Sequence, residues 1–287
     1  MNDKKFWLVS GAILVAIVLY WLLGHPHFIT GRAVMFFCII ASAATIIYNI
    51  NRAKRGEAVF LRTIPGLQAF EEAVGRSTEM GKPVLYVPGI VDMDQVETVT
   101  GVILMGHVAR LTARYETPLH VPVARSIVMK AGRESVKESY LLEGRPDLYQ
   151  DDMVHYLTDD QFAYAAGVNG IMLRERPAAC FYQGKFYAES LILAETGNSI
   201  GAIQIAGTAS AAQIPFFVTA CDYTLIGEEF FAASAYLSKD PALIGSVKGM
   251  DILKVAIIAA TLLAVVLRLF DTAGLISFDV LQFLTIQ

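Results

Sequence analysis

Hydrophobic and polar positions divide the chain into apolar ends and a more polar middle. Residues 6–23 and 33–50 contain no Asp, Glu, Lys or Arg, and residues 252–270 contain only Lys254 and Arg268, both near the ends. An apolar helix of about 20 residues crosses a bilayer core, and long basic side chains near its ends reach the headgroups. The pattern therefore predicts three transmembrane helices. The predicted organisation is an N-terminal hairpin (1–50), a middle domain (51–250), and a third span with an apolar tail (251–287).

Lysine and arginine residues near the spans predict the orientation. Arg52, Lys54 and Arg55 follow the second span, whereas Arg32 alone lies in the loop before it. Because basic residues concentrate on the cytoplasmic side of a membrane, residues 51–250 are predicted to be cytoplasmic. The protein is then a multi-pass protein of the plasma membrane with its tail outside. The tail is either an interfacial helix or a packing segment.

The middle of the chain alternates short apolar runs with longer helical stretches. Strands are predicted near residues 84–87, 119–123, 154–157, 178–182, 202–206 and 216–220, with a closing helix over 224–237. Such alternation is typical of a mainly parallel sheet with helices on both faces. The predicted fold class is therefore α/β, a Rossmann-like, doubly wound domain. Only residues 207–215 join the last two predicted strands, whereas a parallel crossover needs about a dozen or more. Those strands are therefore either antiparallel or joined by a single turn of helix.

Composition narrows the class of protein. Hydrophobic residues make up 55% and charged residues 17% of the chain, and the mean hydropathy is +0.49. These values argue against an ordinary soluble enzyme and against a disordered chain. The net charge of −4 argues against a nucleic-acid partner. Three cysteines without a CxxC pair exclude a disulfide scaffold and a cysteine-rich zinc site.

Four segments of the middle domain carry a resemblance to a known family. They are GVNGIM (167–172), RPAACFYQGKFYAESLILAETG (176–197), GAIQIAGT (201–208) and ACDYTLIGEE (220–229). In these segments the chain resembles an uncharacterised family of bacterial membrane proteins, defined only as a domain of unknown function. The resemblance covers most of residues 60–250 and implies a bacterial plasma-membrane protein. It implies no activity, ligand or catalytic residue.

The turns that follow the predicted strands are candidates for a ligand site. Ligands of doubly wound sheets bind beyond the carboxyl ends of the strands, and the turns there are rich in Gly, Ser, Thr and Asp. The same residues also serve as helix caps and tight bends. The candidate ligand-binding residues are Pro88, Gly89, Asp92, Gly207, Thr208, Ser210, Asp222 and Thr224. Nucleotide binding is less favoured, because no G-x-G-x-x-G follows the first strand and no G-x-x-x-x-G-K-[ST] occurs. The cofactor, if any, is unknown.

Motifs for catalysis and metal binding are missing from the sequence. There is no G-x-S-x-G and no HExxH. Cys180 and Cys221 lie in or beside apolar runs and are predicted to be buried thiols. His107, His120 and His155 are predicted to be core or surface histidines. No residue is assigned to catalysis or to a metal, and whether the protein is an enzyme stays open.

Two predicted helices, over residues 94–115 and 162–172, are apolar on more than one face. A helix that is apolar all round is buried on all sides, so a second subunit is expected to cover them. A loop or the membrane is the alternative cover. The candidate interface residues are Leu104, Val108, Phe162, Ala166 and Gly170. The sequence therefore favours a self-associating, membrane-anchored binding or scaffold protein, with the lipid bilayer and its own copies as partners. A membrane-anchored enzyme or a small-ligand or nucleotide sensor is the alternative.

Overall fold

The computed structural model describes residues 33–57, 64 and 66–272. The predicted first span, the loop after it and the tail beyond residue 272 lie outside these residues. The described residues fall into two compact units, one within residues 1–55 and 248–287, the other within residues 56–247.

The described residues form nine α-helices, two short 3₁₀ helices (Pro146–Leu148 and Asp151–Met153) and six strands. The helices are α1 (Ala33–Lys54), α2 (Gly66–Glu79), α3 (Val96–Tyr115), α4 (Ser126–Leu142), α5 (Gln161–Glu175), α6 (Glu189–Ser199), α7 (Ile214–Ala220), α8 (Glu228–Ser238) and α9 (Pro241–Thr272). The strands are β1 (Val84–Val87), β2 (Leu119–Val123), β3 (Val154–Tyr156), β4 (Ala179–Gln183), β5 (Ile203–Thr208) and β6 (Tyr223–Ile226).

The six strands form one sheet in the order β3-β2-β1-β4-β5-β6. All five neighbouring pairs are parallel, and Leu85 of β1 lies opposite both His120 of β2 and Cys180 of β4. The order reverses between β1 and β4, as it does in doubly wound folds. The predicted α/β fold with a parallel sheet is therefore confirmed.

The end of the sheet differs from the prediction. The predicted strand over residues 216–220 is helix α7, and the residues predicted to open the closing helix form β6, which runs parallel to β5. Pro215 lies in the first turn of α7, where its fixed φ and missing N–H are tolerated. The link between β5 and β6 is thus a helical crossover. The predicted antiparallel pairing is wrong, and the predicted single turn of helix is instead a seven-residue helix that leads to a later strand.

Helices cover the sheet on both faces. The front layer consists of α2, α3, α4 and α8, and its core includes Phe70, Leu104, Phe181 and Phe230. The back layer consists of α5, α6 and α7, and its core includes Val168, Tyr182 and Phe217. Alternate side chains of one strand enter opposite cores, as Phe181 and Tyr182 do in β4.

One helix among the described residues, α9, is long and apolar enough to cross a membrane, where the sequence predicted three spans. It contains the predicted third span, and its most apolar window is not buried by protein, unlike the core helix of a soluble domain. The predicted second span lies in α1, which has Arg52 and Lys54 in its last turn. The two helices approach closely, because a Cβ at Gly249 would lie 2.8 Å from the Cα of Ile46.

Candidate functional site

The carboxyl edge of the sheet is closed by backbone between β1 and β4, where the strand order reverses. Gly89 (φ 82°) and Gly184 (φ 145°) lie in the loops after these strands. A Cβ at Gly89 would lie 2.7 Å from the Lys185 carbonyl oxygen, and one at Gly184 would lie 2.6 Å from the Pro88 carbonyl oxygen. The Ile90 amide donates to the Lys185 carbonyl oxygen at 3.1 Å. The two loops therefore fill the crevice in which doubly wound folds bind their ligands.

Six of the eight predicted ligand-binding residues lie at this edge. Pro88, Gly89 and Asp92 follow β1, and Gly207, Thr208 and Ser210 lie at or just after the end of β5. Two of the side chains form hydrogen bonds within their own turns. Asp92 Oδ1 accepts from the Met93 amide at 2.8 Å, and Thr208 Oγ1 accepts from the Ser210 amide at 3.2 Å. Ligand binding by these residues stays a prediction.

The other two predicted residues lie elsewhere. Asp222 precedes β6 at the amino edge of the sheet, where its carboxylate accepts from the Gln204 amide at 2.7 Å. Thr224 is part of β6 and pairs with Ala206. Both were placed at the carboxyl edge because residues 216–220 were taken for a strand, and the helix at that position overturns this placement.

A buried carboxylate at the carboxyl edge was missed by the sequence analysis. Glu189 is fully buried, and it accepts from Gln161 Nε2 at 2.6 Å and from the Tyr187 amide at 2.7 Å. Arg125 and Lys185 lie at the same edge, where each donates to the segment between β1 and α3. A glutamate in the first turn of a helix normally lies at the surface, so sequence gave no signal for its burial. The contact fixes the start of α5 to the start of α6.

Burial outweighs the nearby carboxylates at His107 and His120. Burial and the nearby Arg110 and Arg114 lower the pKa of His107 from 6.5 to about 4, so its imidazole is neutral at neutral pH. Burial also lowers the pKa of His120. Neither ring is held in a protonated state that a carboxylate would stabilise.

Cys180 and Cys221 are not reactive thiols. Burial raises the pKa of Cys180 to about 12 and raises the pKa of Cys221 further. The thiolate is the reactive form, so neither residue is an activated nucleophile. Within the part of the chain that the structure describes, no three His, Cys, Asp or Glu side chains gather as a metal site would require.

Two of the predicted interface residues belong to the interior. Leu104 and Val108 are each 0% exposed and lie in the front core. Their helix, α3, packs against the sheet and also against α2, α4 and α8. It is apolar on several sides because its own domain covers those sides, so the prediction of these two residues as subunit contacts is wrong.

The other three predicted interface residues lie on the outer face of α5. Phe162 is 62% exposed, Ala166 and Gly170 are exposed, and Leu173 one turn further on is 60% exposed. Spacings of three and four residues place side chains on one face of a helix. These four residues are called the α5 stripe below. The stripe runs from a large residue through two small ones to a second large residue.

Opposite charges flank the α5 stripe. Asp159 and Asp160 lie at the start of α5, where Asp160 caps the helix by accepting from the Ala163 amide at 2.8 Å. Arg174 and Arg176 lie at its end and are exposed. The start of the helix is therefore acidic, as the helix dipole favours. Its end is less strongly basic, because Glu175 lies between the two arginines, with its Oε1 2.8 Å from Arg174 Nε.

Apolar side chains are also exposed on the other two helices of the back layer. Leu191 and Ile192 of α6 and Phe216 and Val218 of α7 are exposed. The exposed charged side chains on the three helices are Arg174, Glu175 and Glu195. The exposed side of these helices is therefore rich in apolar side chains and poor in charge, a composition found at interaction sites.

Comparison with protein families gives one assignment. The family model described as Domain of unknown function (DUF6754) matches residues 24–278. The chain belongs to this family. The predicted resemblance to an uncharacterised family is thus confirmed, while its bacterial and membrane character stays a prediction. Neither the curated proteins nor the solved structures contain a match to the chain. The family description assigns no activity, so the function is inferred from the geometry of the domain.

Proposed function

We propose that this protein is a membrane-anchored assembly protein whose α/β domain self-associates through the α5 stripe. In this proposal residues 6–23, 33–50 and 252–270 cross a bacterial plasma membrane, and the α/β domain is cytoplasmic. The observation that carries the proposal is the large-small-small-large order of Phe162, Ala166, Gly170 and Leu173 on one exposed helix face.

This order is complementary to itself. When two α5 helices pack antiparallel about a twofold axis, Phe162 faces the second copy's Leu173, and Ala166 faces the second copy's Gly170. Small residues at a crossing point let two helices approach closely, while the large residues at each end fill the space beside it. Twofold contacts need such a patch, because the same surface appears on both sides.

The charges at the ends of α5 support the antiparallel arrangement. It brings the acidic end of one α5, with Asp159 and Asp160, to the basic end of the other, with Arg174 and Arg176. A parallel arrangement would place like charges together. Complementary charge at the rim of an interface mainly selects orientation and partner rather than adding affinity.

Membrane anchoring favours this association further. Chains held in one membrane share one orientation, so contact between them forms at a raised effective concentration. Self-association therefore needs only a modest interface within each pair of domains.

Cysteine cross-linking tests the twofold contact. In a Cys38→Ser background, Ala166→Cys and Gly170→Cys lie close to the proposed axis, so each is expected to form a covalent dimer of twice the 31.3 kDa monomer under mild oxidation in membranes. Ile127→Cys on α4 is the matched control, since Ile127 is also exposed, at 56%, but lies in the front layer. A dimer yield at both α5 positions no higher than at Ile127 would refute the contact.

A charge in the α5 stripe tests the role of the contact in assembly. Phe162→Glu is expected to reduce the gently solubilised protein to a monomer in mass photometry, whereas Ile127→Glu keeps the wild-type mass. Both positions are exposed in the monomer, so neither change should unfold it. A wild-type monomer in several mild detergents would contradict the proposal.

A further inference from the structure

A cavity of about 280 Å³ lies in the front layer, on the opposite side of the sheet from the α5 stripe. It opens between α3, α4 and the C-terminal end of α8. Its walls combine apolar and polar side chains, among them Ile103, Leu142, Leu237, His107, Arg110 and Glu138.

Close packing of α3 on α4 forms one wall of this cavity. A Cβ at Gly106 would lie 2.8 Å from Ser135 Oγ, and Ser139 Oγ donates to the Gly106 carbonyl oxygen at 2.9 Å. Small residues on both helices bring the backbones together here. The wall is therefore held by direct contacts between the two helices.

Two opposite charges line the cavity without pairing with each other. Arg110 lies on α3 and Glu138 on α4, and neither forms an ion pair within the residues that the structure describes. Arg114, one turn further along α3, does pair, with its Nη2 3.2 Å from Glu143 Oε1. Arg110 and Glu138 thus offer one cationic and one anionic group, from two different helices, to whatever fills the cavity.

The remaining walls are uncharged. The imidazole of His107 is neutral at neutral pH, because burial lowers its pKa. It therefore offers one donor and one acceptor. Ile103, Leu142 and Leu237 supply apolar surface. The volume of about 280 Å³ lies near the lower end of the range of ligand pockets, about 300–1,000 Å³, which suits a small ligand.

We infer that this cavity binds a small zwitterion, a free amino acid with an apolar side chain. The ligand carboxylate lies at Arg110, the ammonium group at Glu138, and the side chain against Ile103, Leu142 and Leu237. Guanidinium–carboxylate and ammonium–carboxylate contacts are charge-assisted hydrogen bonds, which are stronger than neutral ones. The site is independent of the self-association proposed above.

Binding of L-leucine and two analogues to the full chain in mild detergent tests this inference. L-Leucinamide lacks the carboxylate, and N-acetyl-L-leucine lacks the ammonium group. L-Leucine is expected to bind saturably in calorimetry and to raise the Tm, because a ligand that binds only the folded state stabilises it. Each analogue should bind about tenfold more weakly or worse, since each loses one charge-assisted contact.

Variants assign each charge to one end of the ligand. Arg110→Gln should weaken the binding of L-leucine about tenfold, so that this variant binds L-leucine and L-leucinamide with equal affinity. Glu138→Gln should weaken the binding of L-leucine to a similar extent, so that this variant binds L-leucine and N-acetyl-L-leucine with equal affinity. Both residues are exposed, so both variants should fold. Arg114→Gln, whose parent residue pairs with Glu143 outside the cavity, should bind as the wild type does.

Three outcomes overturn the inference. The first is no saturable binding of L-leucine at millimolar concentration. The second is equal binding of L-leucine and both analogues by the wild type. The third is an equal loss of affinity in Arg114→Gln and Arg110→Gln, which would show a general charge effect.

Discussion

The two helical layers bury the sheet in the same way but present different outer surfaces. In the front layer, α4 alone has four exposed charged side chains, Lys130, Glu134, Lys137 and Glu138. The whole back layer has three, Arg174, Glu175 and Glu195. Both inner faces contain fully buried aromatic residues, such as Phe181 and Tyr182. The layers therefore differ in what covers them, water on the front and, in our proposal, a second copy on the back.

The largest expected effect is on the free energy of unfolding, and it distinguishes a leucine of the front core from a leucine on the outer face of the back layer. Leu104→Ala in the front core should lower the free energy of unfolding by about 2–5 kcal/mol, because it leaves a cavity. Leu173→Ala on the outer face of the back layer should change it by only about 0.5 kcal/mol but weaken association. Denaturant unfolding and mass photometry measure the two properties. If Leu104→Ala dissociated the protein without destabilising it, α3 would be an interface after all.

A glycine pair tests how tightly the front layer is packed on the sheet. A Cβ at Gly101 of α3 would overlap the Gln183 carbonyl oxygen, whereas nothing lies within 4 Å of the corresponding position at Gly75 of α2. Gly101→Ala should therefore destabilise by about 1–3 kcal/mol. Gly75→Ala should stabilise by up to about 1 kcal/mol, since alanine favours a helix. Equal changes in urea unfolding would mean that α3 can shift away from the sheet.

Much of the sheet was predictable because its strands are short apolar runs between turn residues. The predicted strands at 84–87 and 119–123 match β1 and β2, and those at 178–182 and 202–206 match β4 and β5 within one or two residues. The prediction failed at residues 214–226. A run such as Phe216, Phe217 and Val218 fits a strand or a buried helix equally, since it is too short to show a period.

The candidate sites were harder to predict, because they depend on contacts between distant segments. The apolar pattern of α3 is the same whether its own domain or a second subunit covers it, so Leu104 and Val108 were wrongly assigned. The closure of the carboxyl edge depends on the close approach of Gly89 to Lys185. A local sequence pattern does not predict a contact between such distant residues. Phe162, Ala166 and Gly170 are exposed on α5, and their assignment to a subunit interface stays a prediction.

The front layer should also make stability depend on pH, through His107. His107 has a pKa of about 4 in the folded state against 6.5 for the ordinary group. The unfolded chain therefore binds more protons between these values, and stability is full above pH 6.5 and falls as pH drops toward 4. Between pH 7 and pH 5 the loss should be about 2 kcal/mol.

His107→Asn should remove most of this pH dependence, because the substituted side chain does not titrate. Arg110, Arg114 and Glu143 face the ring and remain in the variant, as does His120, whose pKa burial also lowers. Urea unfolding at the two pH values measures the difference. An identical pH slope in the variant and the wild type would assign the effect to other groups.

The smallest effect tests whether the two layers are equivalent on their inner sides. Tyr86 donates to the Gly101 carbonyl oxygen in the front layer, and Tyr164 donates to the Pro122 carbonyl oxygen at 2.8 Å in the back layer. Both side chains are fully buried, and burial raises the pKa of both phenols, so both are neutral donors. Tyr86→Phe and Tyr164→Phe should each cost about 1 kcal/mol. Tyr164→Phe should leave association unchanged, because its hydroxyl group contacts β2 while the α5 stripe lies on the outer face of the same helix. If Tyr164→Phe weakened association as much as Phe162→Glu does, the assembly would depend on the inner packing of the back layer, and the contrast between the layers would not be confined to their outer surfaces.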